Sequence, residues 1–189
     1  YSERSLRGVN SMNDGENYTI LNEQGLVKKT YQSTLNKSID KDVVLVPGKF
    51  QGYEFSSDER YVLLKNNTVS IYRHSNTATY EVFDTQTKSK VSVFNGKAIQ
   101  EPLFSPDASK VAFAFENNLY VQDLKSNQVT QITKDGKKNE IINGICDWVY
   151  EEEFGFVRHF DWNADGTALA FVRFDESKVK EINIPIYYN

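Results

Sequence analysis

Histidine and cysteine are scarce in this 189-residue chain: His74 and His159 are the only histidines and Cys146 the only cysteine. The two histidines stand far apart with no Cys/His spacing around them, so neither a metal centre nor any other cofactor is expected. A lone cysteine excludes an intrachain disulfide. No G-x-S-x-G elbow occurs, and no catalytic residue of a serine hydrolase is expected within this sequence. The absence of G-x-x-x-x-G-K and G-x-G-x-x-G leaves phosphate cradles without support. Lysine and arginine form no cluster, and with a net charge of -4 no nucleic-acid partner or anionic-membrane surface is expected. No apolar run approaches the roughly 18 residues of a membrane span. The opening "YSERSLRGVN" lacks the apolar core of a signal peptide, so any targeting segment is expected to have been removed or omitted.

Aromatic residues are abundant. With 11 Tyr and 12 Phe the composition suits a sheet-rich globular protein, long enough for one core or for a piece of something larger. Three segments share one pattern: "FSSDERYVLL" from Phe55, "FSPDASKVAFA" from Phe104 and "WNADGTALAFV" from Trp162. In each, an aromatic closes one strand, a Ser/Pro/Asp/Gly cluster turns the chain, and an alternating apolar run opens the next strand. The copies begin 49 and then 58 residues apart.

Around them fall about four antiparallel strands per 50 residues, the size of a β-propeller blade. The expected fold is therefore all-β: four-stranded blades forming part of a propeller, with a short acidic helix inserted. Expected boundaries are a partial blade over about 1–50, blades over about 51–95 and 100–133, the insert over about 144–157, and an incomplete blade over about 158–189. "YTIL", "LVKKTY" and "VVLV" read as remains of the first blade, and "EINIPIYYN" as a strand of the last. A β-sandwich is the competing fold, but it would not require one aromatic-turn-strand unit three times in phase. A chain ending inside a blade is expected to pair its exposed edge with another copy or to be partly disordered.

The insert, "GICDWVYEEEFGF" from Gly144 to Phe156, places Glu151, Glu152 and Glu153 side by side among aromatics. Asp147 is suited to cap a short helix whose first turns favour negative charge. Trp148, Tyr150 and Phe154 are expected to pin it to the blade. One interpretation is a solvated surface helix. The other is that two adjacent carboxylates accept two of the three donors of a primary ammonium. Neighbouring residues on one helix do not face each other across a sugar, which argues against a glycosidase pair.

"NGICDWVYEEEFGF" closely resembles the double-glutamate motif of the dipeptidyl peptidase IV family in the prolyl oligopeptidase clan. "IYRHSNTATYEVFD" resembles a blade of that family, and "FSPDASKVAFAFENNLYVQDL" and "NADGTALAFVRFDES" fit the same order. The resemblance implies a serine exopeptidase with an N-terminal eight-bladed propeller and a C-terminal α/β-hydrolase domain that carries the triad and lies outside this segment. It implies release of N-terminal Xaa-Pro or Xaa-Ala dipeptides from peptides with a free N-terminus. By position, Glu152 and Glu153 would bind the α-ammonium, and Arg73 a backbone carbonyl of the bound peptide. A related branch with altered acidic residues releases tripeptides, and the intact pair favours dipeptides. A homodimeric full-length protein and, from the E-E-E-F-G-F variant, a bacterial periplasmic or envelope location are further expectations. The turn "WNADG" departs from the W-S-P usual in these blades. A non-catalytic propeller scaffold binding a protein or glycan is the alternative. Sequons stand at Asn17, Asn36 and Asn66.

Overall fold

The computed structural model describes residues 8–31, 42–182 and 185. The sequon at Asn36 lies outside them. Three four-stranded antiparallel meanders follow one another, each ordered as in the chain. The first comprises β1 (Asn10–Ser11), β2 (Asn17–Asn22), β3 (Gly25–Thr30) and β4 (Val43–Pro47). The second comprises β5 (Gly52–Phe55), β6 (Tyr61–Ser70), β7 (Asn76–Asp84) and β8 (Lys90–Ser92). The third comprises β9 (Gln100–Phe104), β10 (Lys110–Phe115), β11 (Asn118–Asp123) and β12 (Val129–Gln131). These are propeller-type blades. The first has all four strands where only remains were expected, because the short β1 pairs Asn10 with Thr19 and Ser11 with Tyr18.

Beyond them come β13 (Ile141–Asn143), the helix α1 (Trp148–Phe154), β14 (Phe160–Trp162), β15 (Leu169–Phe171) and β16 (Arg173–Asp175). Here β14 pairs with β15 while β16 pairs with β13. The single run "ALAFVRF" thus breaks into two strands that serve different partners. No strand forms over Glu181–Ile182, and residues 183–184 and 186–189 lie outside the described residues. Pro185 lacks the amide that a ladder would need.

The apolar runs are continuous in the second and third blades because both of their faces are buried. On β6, Val62 and Leu64 pack toward the first blade, with Leu26 and Val46, while Leu63 between them packs toward the third, with Val111 and Phe113. On β10, Val111 and Phe113 face the second blade, whereas Ala112 and Ala114 face Leu119, Ile142, Ile145 and Phe160. The two-residue period sends alternate side chains to opposite neighbours.

The repeated turns share one hydrogen-bond scheme. Ser56 Oγ donates to Asp58 Oδ1 and accepts from Tyr61 N, and Ser105 Oγ likewise donates to Asp107 Oδ1 and accepts from Lys110 N. In "WNADG" the Asn163 carboxamide replaces the serine: its Oδ1 accepts from Ala168 N at 2.9 Å, and Asp165 Oδ1 accepts from Thr167 N at 3.0 Å. The residue after each aspartate is left-handed: Glu59, Ala108 and Gly166 have φ of 58°, 55° and 67°. Only Gly166 takes that conformation without Cβ strain.

A fourth copy, Asn13–Asp14–Gly15, opens the first blade, where Asp14 Oδ1 accepts from the amides of Glu16 and Asn17. Successive turns are laced together. Asn13 Nδ2 donates to Ser57 O, Ser57 Oγ to Pro106 O, and Lys110 Nζ to Gly166 O. Deeper in, the fully buried Gln122 joins the second and third blades. Its Oε1 accepts from Phe94 N at 2.7 Å and its Nε2 donates to Ser92 O at 3.0 Å.

Candidate substrate-terminus site

The site is assembled from two loops. The first is the tip of the β6–β7 hairpin, Ile71 to Ser75, closed by Ile71 N donating to Ser75 O at 2.9 Å. The second is the connection from β13 to β14, which carries α1. Its ends are laced by an antiparallel bridge between Ile145 and Arg158 and by Cys146 N donating to Val157 O at 3.0 Å.

Helix α1 begins as its sequence requires. Asp147 is extended, and its Oδ1 accepts from Tyr150 N at 2.9 Å, satisfying one of the N–H donors that a helix start leaves unpaired. It stops after seven residues because Gly155 enters the left-handed region at φ 71° and donates to Glu151 O.

The helix phase gives three adjacent glutamates three different environments. Glu151 is only 3% exposed, and its Oε1 accepts from His74 N and Ser75 N, both at 2.7 Å. Burial pushes its carboxyl up, but the amides of Ser75 and His74 outweigh that and hold it below the usual carboxylate range. Glu152 is half-buried, and its Oε1 lies 3.0 Å from Arg73 Nη2. Glu153 is exposed and has no ion-pair partner among the described residues. All three residues expected to form the site are therefore on facing loops, two of them in direct contact.

The pinning of the helix differs from expectation. Trp148, Tyr150, Phe154 and Phe156 are all exposed. Yet Tyr150 stands edge-on to Phe174 at 5.2 Å and to His159 at 5.8 Å, Phe156 packs on His159 at 4.9 Å, and Phe154 leans on Tyr150 and Phe156. Sequence reasoning assigned Glu151 no task, yet it is the buried anchor. Its position four residues after the capping Asp147, one helical turn inward, was the available signal.

Arg73 also lines an open cleft of about 570 Å³ with His74, Glu101, Phe156 and Arg158. Glu101 borders a second hollow with Glu54, Lys65, Tyr80 and Arg158. Burial pushes the carboxyls of both Glu54 and Glu101 up, against the pull of Arg158. Among the described residues no cluster of His, Cys, Asp and Glu is arranged to hold a metal.

Comparison with known proteins places these features in a family. Residues 56–189 match the family model described as the dipeptidyl peptidase IV (DPP IV) N-terminal region. The chain is 46% identical over 136 residues to a "Probable dipeptidyl-aminopeptidase B" of Talaromyces marneffei, covering 70% of this chain and 15% of that protein. It is 34% identical over 137 residues to "Dipeptidyl peptidase 4" of Felis catus, covering 71% of this chain and 18% of that protein. The crystal structure of Porphyromonas gingivalis dipeptidyl peptidase 4 superposes with a TM-score of 0.83 at 37% identity, over 96% of this chain and 27% of that one. The chain thus spans under a fifth of the length of those two curated relatives. It belongs to the dipeptidyl peptidase IV family and corresponds to that family's N-terminal region.

Proposed function

We propose that this chain supplies the amine-holding end of the substrate site in a longer serine peptidase that releases Xaa-Pro or Xaa-Ala dipeptides from free peptide N-termini. Glu152 and Glu153 accept two N–H donors of the α-ammonium and neutralise its charge. Arg73 donates to a backbone carbonyl of the bound peptide. The observation that carries this assignment is the 3.0 Å contact between Arg73 and Glu152, which joins residues 79 positions apart in the sequence.

The chemistry follows from the donor count. An ammonium has three donors and no acceptor, so paired carboxylates fix it without a metal. An exopeptidase that measures two residues needs a fixed counter-charge at one end, and adjacent carboxylates on a capped helix provide it. A peptide with a blocked amine would leave both carboxylates desolvated and unpaired. Arg73 offsets their mutual repulsion while the site is empty.

Kinetics of the full-length protein test this. Glu152→Ala and Glu153→Ala should each lower kcat/KM for an Xaa-Pro substrate by about ten- to a hundredfold, the value of one charge-assisted hydrogen bond. Unchanged kinetics in both variants would remove the assignment.

A further inference from the structure

Glu151 is 3% exposed, its Oε1 is taken up by two backbone amides, and it does not line the cleft bordered by Arg73, so it is not presented to a peptide bound there. A buried carboxylate with no cationic partner is costly, and no lysine or arginine among the described residues pairs with it. An apolar side chain would fill the same space more cheaply, but without fixing direction.

What the carboxylate does fix is visible in its neighbours. His74 and Ser75, its donors, follow Arg73 directly in the chain, and Glu152 follows Glu151. One cross-link thus sets the origins of both members of the Arg73–Glu152 pair. That pair cannot order itself: the Arg73 side chain is 70% exposed, and an exposed ion pair holds long side chains weakly. Hydrogen bonds to an ionised, buried acceptor are stronger and directional.

Building on the ammonium assignment above, we propose that Glu151 is a positioning residue. Its carboxylate clamps the hairpin tip to α1 and thereby holds Arg73 and Glu152 in the arrangement that receives the peptide.

Two substitutions separate reach from charge. Glu151→Asp keeps the charge but falls one methylene short of the amides, while Glu151→Gln keeps the reach and an acceptor oxygen. In the full-length protein, assayed with an Xaa-Pro chromogenic amide bearing a free amine, Glu151→Asp should raise KM about tenfold with kcat changed less than about twofold. Glu151→Gln should raise KM less. In an Arg73→Ala background, Glu151→Asp should raise KM clearly less than in the unmodified protein, because part of its effect runs through Arg73. A rise for Asp no larger than for Gln, or the same rise in both backgrounds, overturns the role. If Glu151→Asp yields no folded protein, the same cycle with Glu151→Gln decides: non-additive KM effects support the role and additive ones overturn it. Glu152→Gln is the control. If it leaves KM unmoved, the ammonium assignment fails and takes the positioning role with it. If it raises KM while Glu151→Asp does not, only the positioning role falls.

Discussion

Arg73 Nη2 and Glu152 Oε1 stand 3.0 Å apart, one on a hairpin tip of the second blade and the other on the helix inserted before β14. Because the arginine side chain is 70% exposed, the pair adds at most about 1 kcal/mol to folding. Its value lies in placing a cation beside an acidic pair without burying either charge.

This separation of stability from activity is measurable. Arg73→Ala should shift the urea-unfolding free energy by less than about 0.5 kcal/mol. It should also lower kcat/KM of the full-length protein about tenfold through loss of a peptide carbonyl partner. Arg73→Lys should recover only part of that loss, since an ammonium lacks the planar fork. A large stability loss with intact kinetics would assign Arg73 to the scaffold.

Gln122 offers the reverse case. It is fully buried and bonded to Phe94 N, whose residue holds a left-handed φ of 50°. Gln122→Leu would leave the Phe94 amide and the Ser92 carbonyl without their partner. The expected cost is about 1–3 kcal/mol of unfolding free energy. Equal stability of the two proteins would show that Gln122 does not help to join the blades.

Acid sensitivity should reside in the repeated turns. Donation from the Ser105 hydroxyl, then from the Ser109 amide and hydroxyl, lowers Asp107 from 3.8 to about 2. A depressed folded value means that the stabilisation is complete above 3.8 and is lost as pH falls toward 2. Asp107→Asn should therefore lower the thermal midpoint at pH 7, with the gap to the unmodified protein closing between those two pH values. A gap that stays constant down to pH 2 would contradict the linkage.

Much of the scaffold was legible because its signals are local. The Phe55 and Phe104 turns carry their Ser-x-Asp pattern openly, and the alternation in "VAFAF" marks a strand of β10 buried on both faces. The Asn13–Asp14–Gly15 copy escaped notice because Ser11 stands where the others have an aromatic, although its Asp-Gly turn pair was present. The split of "ALAFVRF" between β15 and β16 depends on β13, thirty residues earlier, and no local pattern encodes that choice. At the site, the proximity of Arg73 to Glu152 was expected from family resemblance and not from spacing. The division of labour among three identical neighbours depends on helix phase, which the Asp147 cap sets.

The most direct test of the central claim is a crystal structure of the full-length protein with an uncleaved Xaa-Pro peptide bound. The peptide nitrogen should lie within about 3 Å of carboxylate oxygens of both Glu152 and Glu153, with a peptide carbonyl at Arg73. A bound peptide whose amine points into solvent, more than about 5 Å from either glutamate, would contradict it.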